Sequence, residues 1–245
     1  MKEIGLLGAK GAGKDTLAAY LIAEHGYERI SFAEELYRQA AEAFNITVEV
    51  LGHRDTKETA LPFLALRHCR DVRFVEVALQ TLTKSQHLRR ACLAYVSTGK
   101  MPAHASARRV KTLLNQGRSP RWTMQLWGTE YRRKSKYGVD SYWLDIVAAT
   151  ISANPHKRFV ITDVRFINEA RFVERLGGLL IRVRRLQLEA REAADRARNG
   201  TAAHPSEVEL LNYQGPLEVF NTEGDPSSLK RGFDLLGIEE TALAA

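Results

Sequence analysis

Residues Gly8-Ala9-Lys10-Gly11-Ala12-Gly13-Lys14 satisfy the GxxxxGK spacing of a phosphate-cradling loop. Its glycines would let the backbone wrap closely enough for successive N–H groups to point at phosphate oxygens. A helix starting at its end would add partial positive charge, and Lys14 would neutralise the β- and γ-phosphates. The usual Ser or Thr after the lysine is replaced by Asp15, with Thr16 one position later. A magnesium ion could therefore be met by Asp15, directly or through water, or by the Thr16 hydroxyl. Asp163 closes the apolar run Arg158-Phe159-Val160-Ile161-Thr162. There a carboxylate would lie at the carboxyl edge of a sheet and face the phosphate loop; capping the next helix is its alternative use. Arg165, two residues on, points to the same edge and could hold a phosphate with both arms of its guanidinium.

The elements that must position these groups are read from periodicity. Glu3 to Gly8 suits a buried parallel strand, and Asp15 to Glu24 places Leu17, Ala18, Leu21 and Ile22 at helical spacing. Tyr27 to Phe32 reads as a second strand, followed by an Ala- and Glu-rich helix over Ala33 to Phe44. Arg158 to Thr162 is a third strand, and a helix from Asn168 to Leu176 closes at Gly177-Gly178. Leu179 to Val183 and Leu217 to Phe220 supply two more strands. The alternation predicts an α/β fold with a parallel sheet of about five strands covered on both faces. Between the second and third strands the pattern becomes helical, roughly Leu64 to Val96 and Ser106 to Asn115, broken by a loop over Ser97 to His104. Arg185 to Arg198 is almost wholly polar and reads as a solvated, projecting arm.

Composition narrows the classes. Hydrophobic residues are 44% and charged residues 27% of 245, enough for a real core and unlike disordered or collagen-like chains. No stretch approaches the ~18 uninterrupted apolar residues of a membrane span, and no secretory signal is evident. Cys69 and Cys92 lie in no CxxC or zinc-finger spacing and read as idle thiols in a reducing cytosol. Asn45-Ile46-Thr47 and Asn199-Gly200-Thr201 match a glycosylation pattern that means nothing without secretion. The net charge of +7 is uneven: Arg67 to Lys136 holds 16 Lys and Arg against 3 acids, a balance of +13, and the remainder stands at −6. That segment could be an electrostatic funnel for a small polyanion, a nucleic-acid-binding insertion, or only a solvated helical face.

Taken together the motifs resemble the phage-type deoxynucleoside monophosphate kinases, within the P-loop nucleoside monophosphate kinase superfamily. The residues that carry this are Gly8 to Thr16, Ser31-Phe32-Ala33, Arg54 with Lys57-Glu58, and the block Arg121-Trp122-Thr123-Met124-Gln125-Leu126-Trp127-Gly128-Thr129-Glu130 continuing to Arg133 and Tyr142-Trp143. Asp163-Val164-Arg165, Asn168-Glu169-Ala170, His204-Pro205-Ser206-Glu207 and Asn221 complete the series. The resemblance implies a three-layer P-loop fold in a single kinase domain over residues 1–245. Within it lie a basic helical insertion at about 57–140 and a lid-like arm at about 185–206.

The activity it implies is transfer of the γ-phosphoryl of ATP, with Mg2+, to a deoxynucleoside monophosphate. Gly11, Gly13, Lys14, Asp15 and Thr16 would hold ATP, and Asp15, Thr16 and Asp163 the metal. Ala33, Arg54, Arg121, Gln125, Gly128, Thr129, Glu130, Trp143, Asp163, Arg165 and Glu169 would surround the monophosphate, with Lys14, Arg121, Arg133, Asp163 and Arg165 acting in catalysis. Trp143 could stack on a base or simply fill a core, Gln125 could read a base edge or sit on a helix surface, and Glu130 could meet a sugar hydroxyl or pair with Arg133. One departure stands out: where relatives often carry a lysine after Phe32-Ala33, this chain has Tyr37 and Arg38. The alternatives are dephospho-coenzyme A kinase or another small-molecule P-loop kinase, and a nucleic-acid-binding P-loop protein. The expected setting is the cytoplasm of a bacterial or phage-infected cell, with no membrane or nucleic-acid partner; relatives dimerise, which leaves a homodimer open.

Overall fold

The computed structural model describes residues 3–103, 105–199, 209–222 and 225–238. His104, the end of the expected arm beyond Asn199 and the His204 to Glu207 motif lie outside the described residues. Strand β1 (Glu3–Leu7) is buried at every position, Glu3 included, and from Ile4 to Leu7 it is an apolar run without polar alternation. It runs parallel between β3 (Arg158–Ile161) and β4 (Leu179–Arg184), with β2 (Tyr27–Ile30) outside β3 and β5 (Leu217–Phe220) outside β4. The order β2-β3-β1-β4-β5 is parallel throughout, the five-stranded α/β sheet that the alternation predicts.

Two compact units make up the chain, Met1–Phe32 with Leu144–Ala245, and Ala33–Trp143. The first holds the sheet. Its helices among the described residues include α1 (Lys14–His25), which buries Leu17, Ala18 and Leu21 against Leu6, Val160, Ile181 and Val183 and stops at Gly26, a left-handed residue with φ 65°. Later helices of this unit are α9 (Ile167–Arg175), α10 (Leu186–Asn199) and α11 (Ser227–Asp234). Helix α11 sets Leu229 and Phe233 into the same core.

The second unit is helical. It contains most of α2 (Phe32–Phe44), the short α3 (Val48–Gly52), two 3-10 turns (Pro62–Leu64 and Leu66–His68), α4 (Val72–Leu82), α5 (Gln86–Thr98) and α6 (Ala107–Asn115). A further short helix α7 (Pro120–Gln125) passes directly into a π-helix (Leu126–Lys134), and α8 (Tyr142–Ala153) leads back to the sheet unit. The single helical stretch expected over Leu64 to Val96 is therefore two helices. Asp71 caps α4 by accepting from Arg73 N and Phe74 N at 2.9 and 3.0 Å, and Ser85 caps α5 by accepting from Leu88 N at 3.3 Å. Apolar periodicity runs on across such a break; the side-chain oxygens that satisfy the free N–H groups mark it.

The core of this unit is aromatic. Phe74 lies 4.6 Å from Trp127 and 5.8 Å from Tyr131 between ring centres, and Phe44 packs edge-on against Phe74 at 6.1 Å. The Tyr131 hydroxyl is fully buried and donates to Asp71 Oδ2 at 2.7 Å. Both cysteines are free and buried, and burial pushes the Cys69 thiol up to about 12 and Cys92 up to about 11, which keeps them protonated and inert. No helix among the described residues is long and apolar enough to cross a membrane.

Asp71 thus serves one helix start and one buried hydroxyl at once. Asp71→Ala should lower the unfolding free energy by about 2–4 kcal/mol, since a lost cap costs ~1 and an orphaned buried hydroxyl ~1–3. Urea unfolding followed by circular dichroism measures it, with Asp71→Asn expected to fall between.

Candidate active site

In the sheet unit the chain leaves β1 at Gly8, whose φ of +137° and close backing decide its identity. A Cβ there would stand 2.3 Å from the Val183 carbonyl oxygen. Gly11 and Gly13 also take positive φ, +80° and +111°. The loop closes on itself through Ala12 N–H donating to Ala9 O at 3.2 Å and enters α1 at Lys14. Lys14 Nζ donates to the carbonyls of Gly8 and Ala9 at 2.7 and 2.8 Å. Its ammonium is thus wrapped by the loop it belongs to. Burial, and then the nearby positive Arg165, bring its pKa down to about 8, while Asp15, Asp163 and Glu192 pull the other way.

Asp163 is buried just past the end of β3. One oxygen accepts from Ser31 Oγ and the other from Phe32 N, each at 2.9 Å. Its carboxylate therefore fixes the start of α2. Capping of α9 falls instead to Glu169, whose Oε2 accepts from Arg165 N at 2.7 Å and Phe166 N at 3.1 Å. Glu169 is only 2% exposed, so its carboxylate shapes the turn that carries Arg165, itself exposed. Asp15 and Thr16 stand exposed in the first turn of α1. Helix α10 crosses this region: a Cβ on Gly11 would lie 3.7 Å from Leu188, and Glu192, one turn on, is the acid within electrostatic reach of Lys14.

The second unit gathers six of the other expected residues on one continuous helical run. Arg121 and Gln125 lie on α7, both partly exposed, while Gly128, Thr129, Glu130 and Arg133 lie on the π-helix. A π-helix of this length is rare, and such segments concentrate at functional sites. Arg121 pairs with Glu58 through Nε, and its backbone N–H bonds Lys57 O at 3.0 Å. Trp143 is 3% exposed and donates its indole N–H to Gly128 O at 2.9 Å, so it packs as a core tryptophan that braces the π-helix. Gly128 also lets Leu36 approach, since a Cβ would meet its Cδ2 at 3.1 Å. Arg133 is buried, with Asp140 Oδ1 at 4.0 Å, and Glu130 pairs with Lys134 at 3.6 Å rather than with Arg133. Arg54 is exposed, and Ala33 stands in the first turn of α2. The departure at Tyr37 acquires a physical content: Lys57 Nζ lies 3.5 Å from its hydroxyl, and Arg38 is spent on Glu35 and Glu42.

Gln39, and Asn221 of the family series, make long-range contacts in addition. Gln39 Oε1 accepts from Arg132 Nε at 2.9 Å and Trp127 Nε1 at 3.3 Å, while its Nε2 donates to Tyr142 OH and Glu35 Oε1, both at 2.8 Å. Asn221 reaches the phosphate loop. A lone glutamine on a helix gives no local signal of such bonds, and the family series marks Asn221 without indicating its partner.

The family model for deoxynucleotide monophosphate kinase matches residues 2–221. The chain belongs to the deoxynucleotide monophosphate kinase family. It is similar to the deoxynucleoside-5'-monophosphate kinase of Escherichia phage T5, at 32% identity over 178 residues, 68% of this chain and 69% of that one. A protein of Acanthamoeba polyphaga mimivirus, provisionally named as a deoxynucleotide monophosphate kinase, is 30% identical over 215 residues, 87% of this chain and 84% of its own. Among solved structures, TT1252 from Thermus thermophilus covers 97% of each chain at 17% identity and a TM-score of 0.42. The kinase is thus a phosphotransferase, and its nucleotide chemistry is that of its family.

Lys14 offers a test of the loop in the free protein. Its folded pKa of about 8 lies below the ordinary value of 10.5, so between these values the unfolded chain binds more protons and stability rises with pH. Charged Lys14 therefore costs stability below about pH 8, and the cost disappears as pH approaches 10.5. Lys14→Met should melt higher than the parent at pH 7, with the difference shrinking at pH 10. A difference that stays constant across that range would refute the burial of the ammonium.

Proposed function

We propose that this kinase transfers the γ-phosphoryl group of ATP to the 5'-phosphate of a deoxynucleoside monophosphate, releasing ADP and the diphosphate. The observation that carries this reading is the loop around Lys14, with three glycines at positive φ, the ammonium at its centre, and Asp163 and Arg165 close enough to act on that charge. Phosphoryl transfer demands little covalent work from a protein; alignment of donor and acceptor oxygens and stabilisation of charge do most of it.

In this reading the N–H groups of Gly11, Gly13, Lys14, Asp15 and Thr16 receive the ATP phosphates. Lys14 then exchanges its two carbonyl partners for β- and γ-phosphate oxygens. Arg165 faces the transferred group, and Arg121 and Arg133 with Arg54 receive the acceptor phosphate. Gln125, Thr129 and Glu130 supply the polar edges for base and sugar; Ala33 and Gly128 keep the chain close to the nucleotide, and Trp143 and Glu169 hold the segments that carry these groups.

The donors at hand for a metal are oxygens only, Asp15, Thr16 and Asp163. They suit Mg2+, which takes one or two carboxylates plus substrate phosphates rather than a protein cage, and no cluster of three His, Cys, Asp or Glu occurs among the described residues. When bound there, the ion would neutralise developing charge on the bridging phosphate oxygens. Helix α10, with Leu188 and Glu192 over the loop, acts as the lid, closing on ATP and excluding water. The work is done in the cytoplasm of a bacterial or phage-infected cell.

Lys14→Ala should lower turnover about 10²- to 10³-fold or more with the circular dichroism spectrum unchanged, the usual scale for losing a group that stabilises transferred charge. ADP release should depend on a deoxynucleoside monophosphate, and a panel of the four with their ribonucleotide counterparts and dephospho-coenzyme A reads the acceptor directly. Preference for dephospho-coenzyme A, or near-parental turnover by Lys14→Ala, would overturn the assignment.

A further inference from the structure

One residue outside that set of roles touches the phosphate loop. Asn221 follows β5 and extends its ladder, donating its backbone N–H to Arg184 O at 2.7 Å. On its other side Thr222 N–H bonds Ser228 Oγ at 2.9 Å, and that hydroxyl donates to Asp225 O at 2.7 Å. The backbone at Asn221 is thereby held on both sides. Its side-chain Nδ2 donates to the Ala12 carbonyl at 2.7 Å, a contact across 209 positions of sequence. Ala12 itself is fully buried, so the residue is fixed by its methyl in the core and by its oxygen on the amide.

The consequence follows from peptide geometry. A trans peptide is planar, with its C=O and N–H pointing in opposite directions. Turning the Ala12 carbonyl toward Asn221 therefore turns the Gly13 N–H away from it. Among the described residues that N–H has no acceptor. Gly13 could not do this as any other residue, because a Cβ would stand 2.6 Å from Asn221 Nδ2 and 2.9 Å from Leu229 Cδ1, at a φ of +111°. The amide occupies the space that a side chain would need.

We infer that Asn221 is a positioning residue of the kinase: by anchoring the Ala12 carbonyl it aims the Gly13 N–H, and with it the start of α1, at the phosphates of the donor nucleotide. This rests on the reading of the Gly8 to Lys14 loop as the ATP site. The role lies in the amide donor, not in the volume of the side chain.

Two variants separate these. Asn221→Asp keeps the shape and replaces the donor by a carboxylate facing a carbonyl; Asn221→Ala removes both. The KM for ATP should rise about two- to tenfold in Asn221→Ala, the range of a single lost hydrogen bond, and further in Asn221→Asp. The KM for the deoxynucleoside monophosphate should not change in either. An Asn221→Asp enzyme that matches the parent would assign the residue to space filling and end the proposal, as would equal rises in both KM values. Asn221→Asp, being isosteric, carries the test even where Asn221→Ala folds poorly. Lys14→Ala as a companion distinguishes the two levels: if it retains turnover the ATP reading fails, whereas an inactive Lys14→Ala beside parental Asn221 variants sinks this inference alone.

Discussion

The structure depends on the approach of Gly8 to the carbonyl of Val183. Strand β1 is flanked on both sides by parallel partners, and at its end the chain must turn out of the sheet against the backbone of β4 with no room for a Cβ. Only a glycine at positive φ permits that turn. From it follow the direction of the loop, the entry of α1 at Lys14 and the enclosure of the ammonium by two loop carbonyls. The sheet order then puts the ends of β3 and β4 on either side of β1, so that Asp163 and Arg165 leave one neighbour and α10 leaves the other. This is the carboxyl edge of a parallel sheet, the side on which α/β sheets generally bind ligands.

The helical unit solves a different problem, that of holding a wide π-helix in register. Such a helix has poorer packing than an α-helix, and here polar and aromatic groups fix it in place. Gln39 uses both ends of its amide, Arg132 stacks at 4.5 Å over Tyr131 and 4.9 Å over Tyr142, and Trp143 takes the Gly128 carbonyl. A partly buried polar network whose members are satisfied restrains what it joins. The segment that carries Gly128, Thr129 and Arg133 is therefore preorganised by residues that need never touch a nucleotide.

Charge is divided between local pairs and the surface. The acids within the basic stretch from Arg67 to Lys136 are used locally: Asp71 caps α4, Glu76 binds Lys136 and Tyr137, and Glu130 pairs with Lys134. Lys84, Arg90, Lys100, Arg108, Arg109 and Lys111 are exposed and enter no ion pair among the described residues. The positive balance is thus displayed at the surface of this unit.

Much of the fold could be read from the chain because strand and helix periods are local properties. The five strands, α1, α2, α9, the arm helix and the phosphate loop lie within a few residues of their expected bounds. The break between α4 and α5 was hidden because apolar periodicity carries across it. The helices over Pro120 to Lys134 and Tyr142 to Ala153 were legible only as motif residues. At the site, residue types in sequence determined which groups are candidates: the cations Lys14 in its glycine loop and the arginines of the 121–133 block for phosphate, and the carboxylate of Asp163 at a strand end for a metal ion. Only the tertiary structure decided what each is committed to. Asp163 secures the start of α2, Glu169 shapes the turn before α9, Trp143 braces Gly128, and Asn221 grips the loop from across the sheet. A side chain's chemistry belongs to its own position, but its hydrogen-bond partner is supplied by chain that may lie two hundred residues away, and no local pattern encodes that meeting.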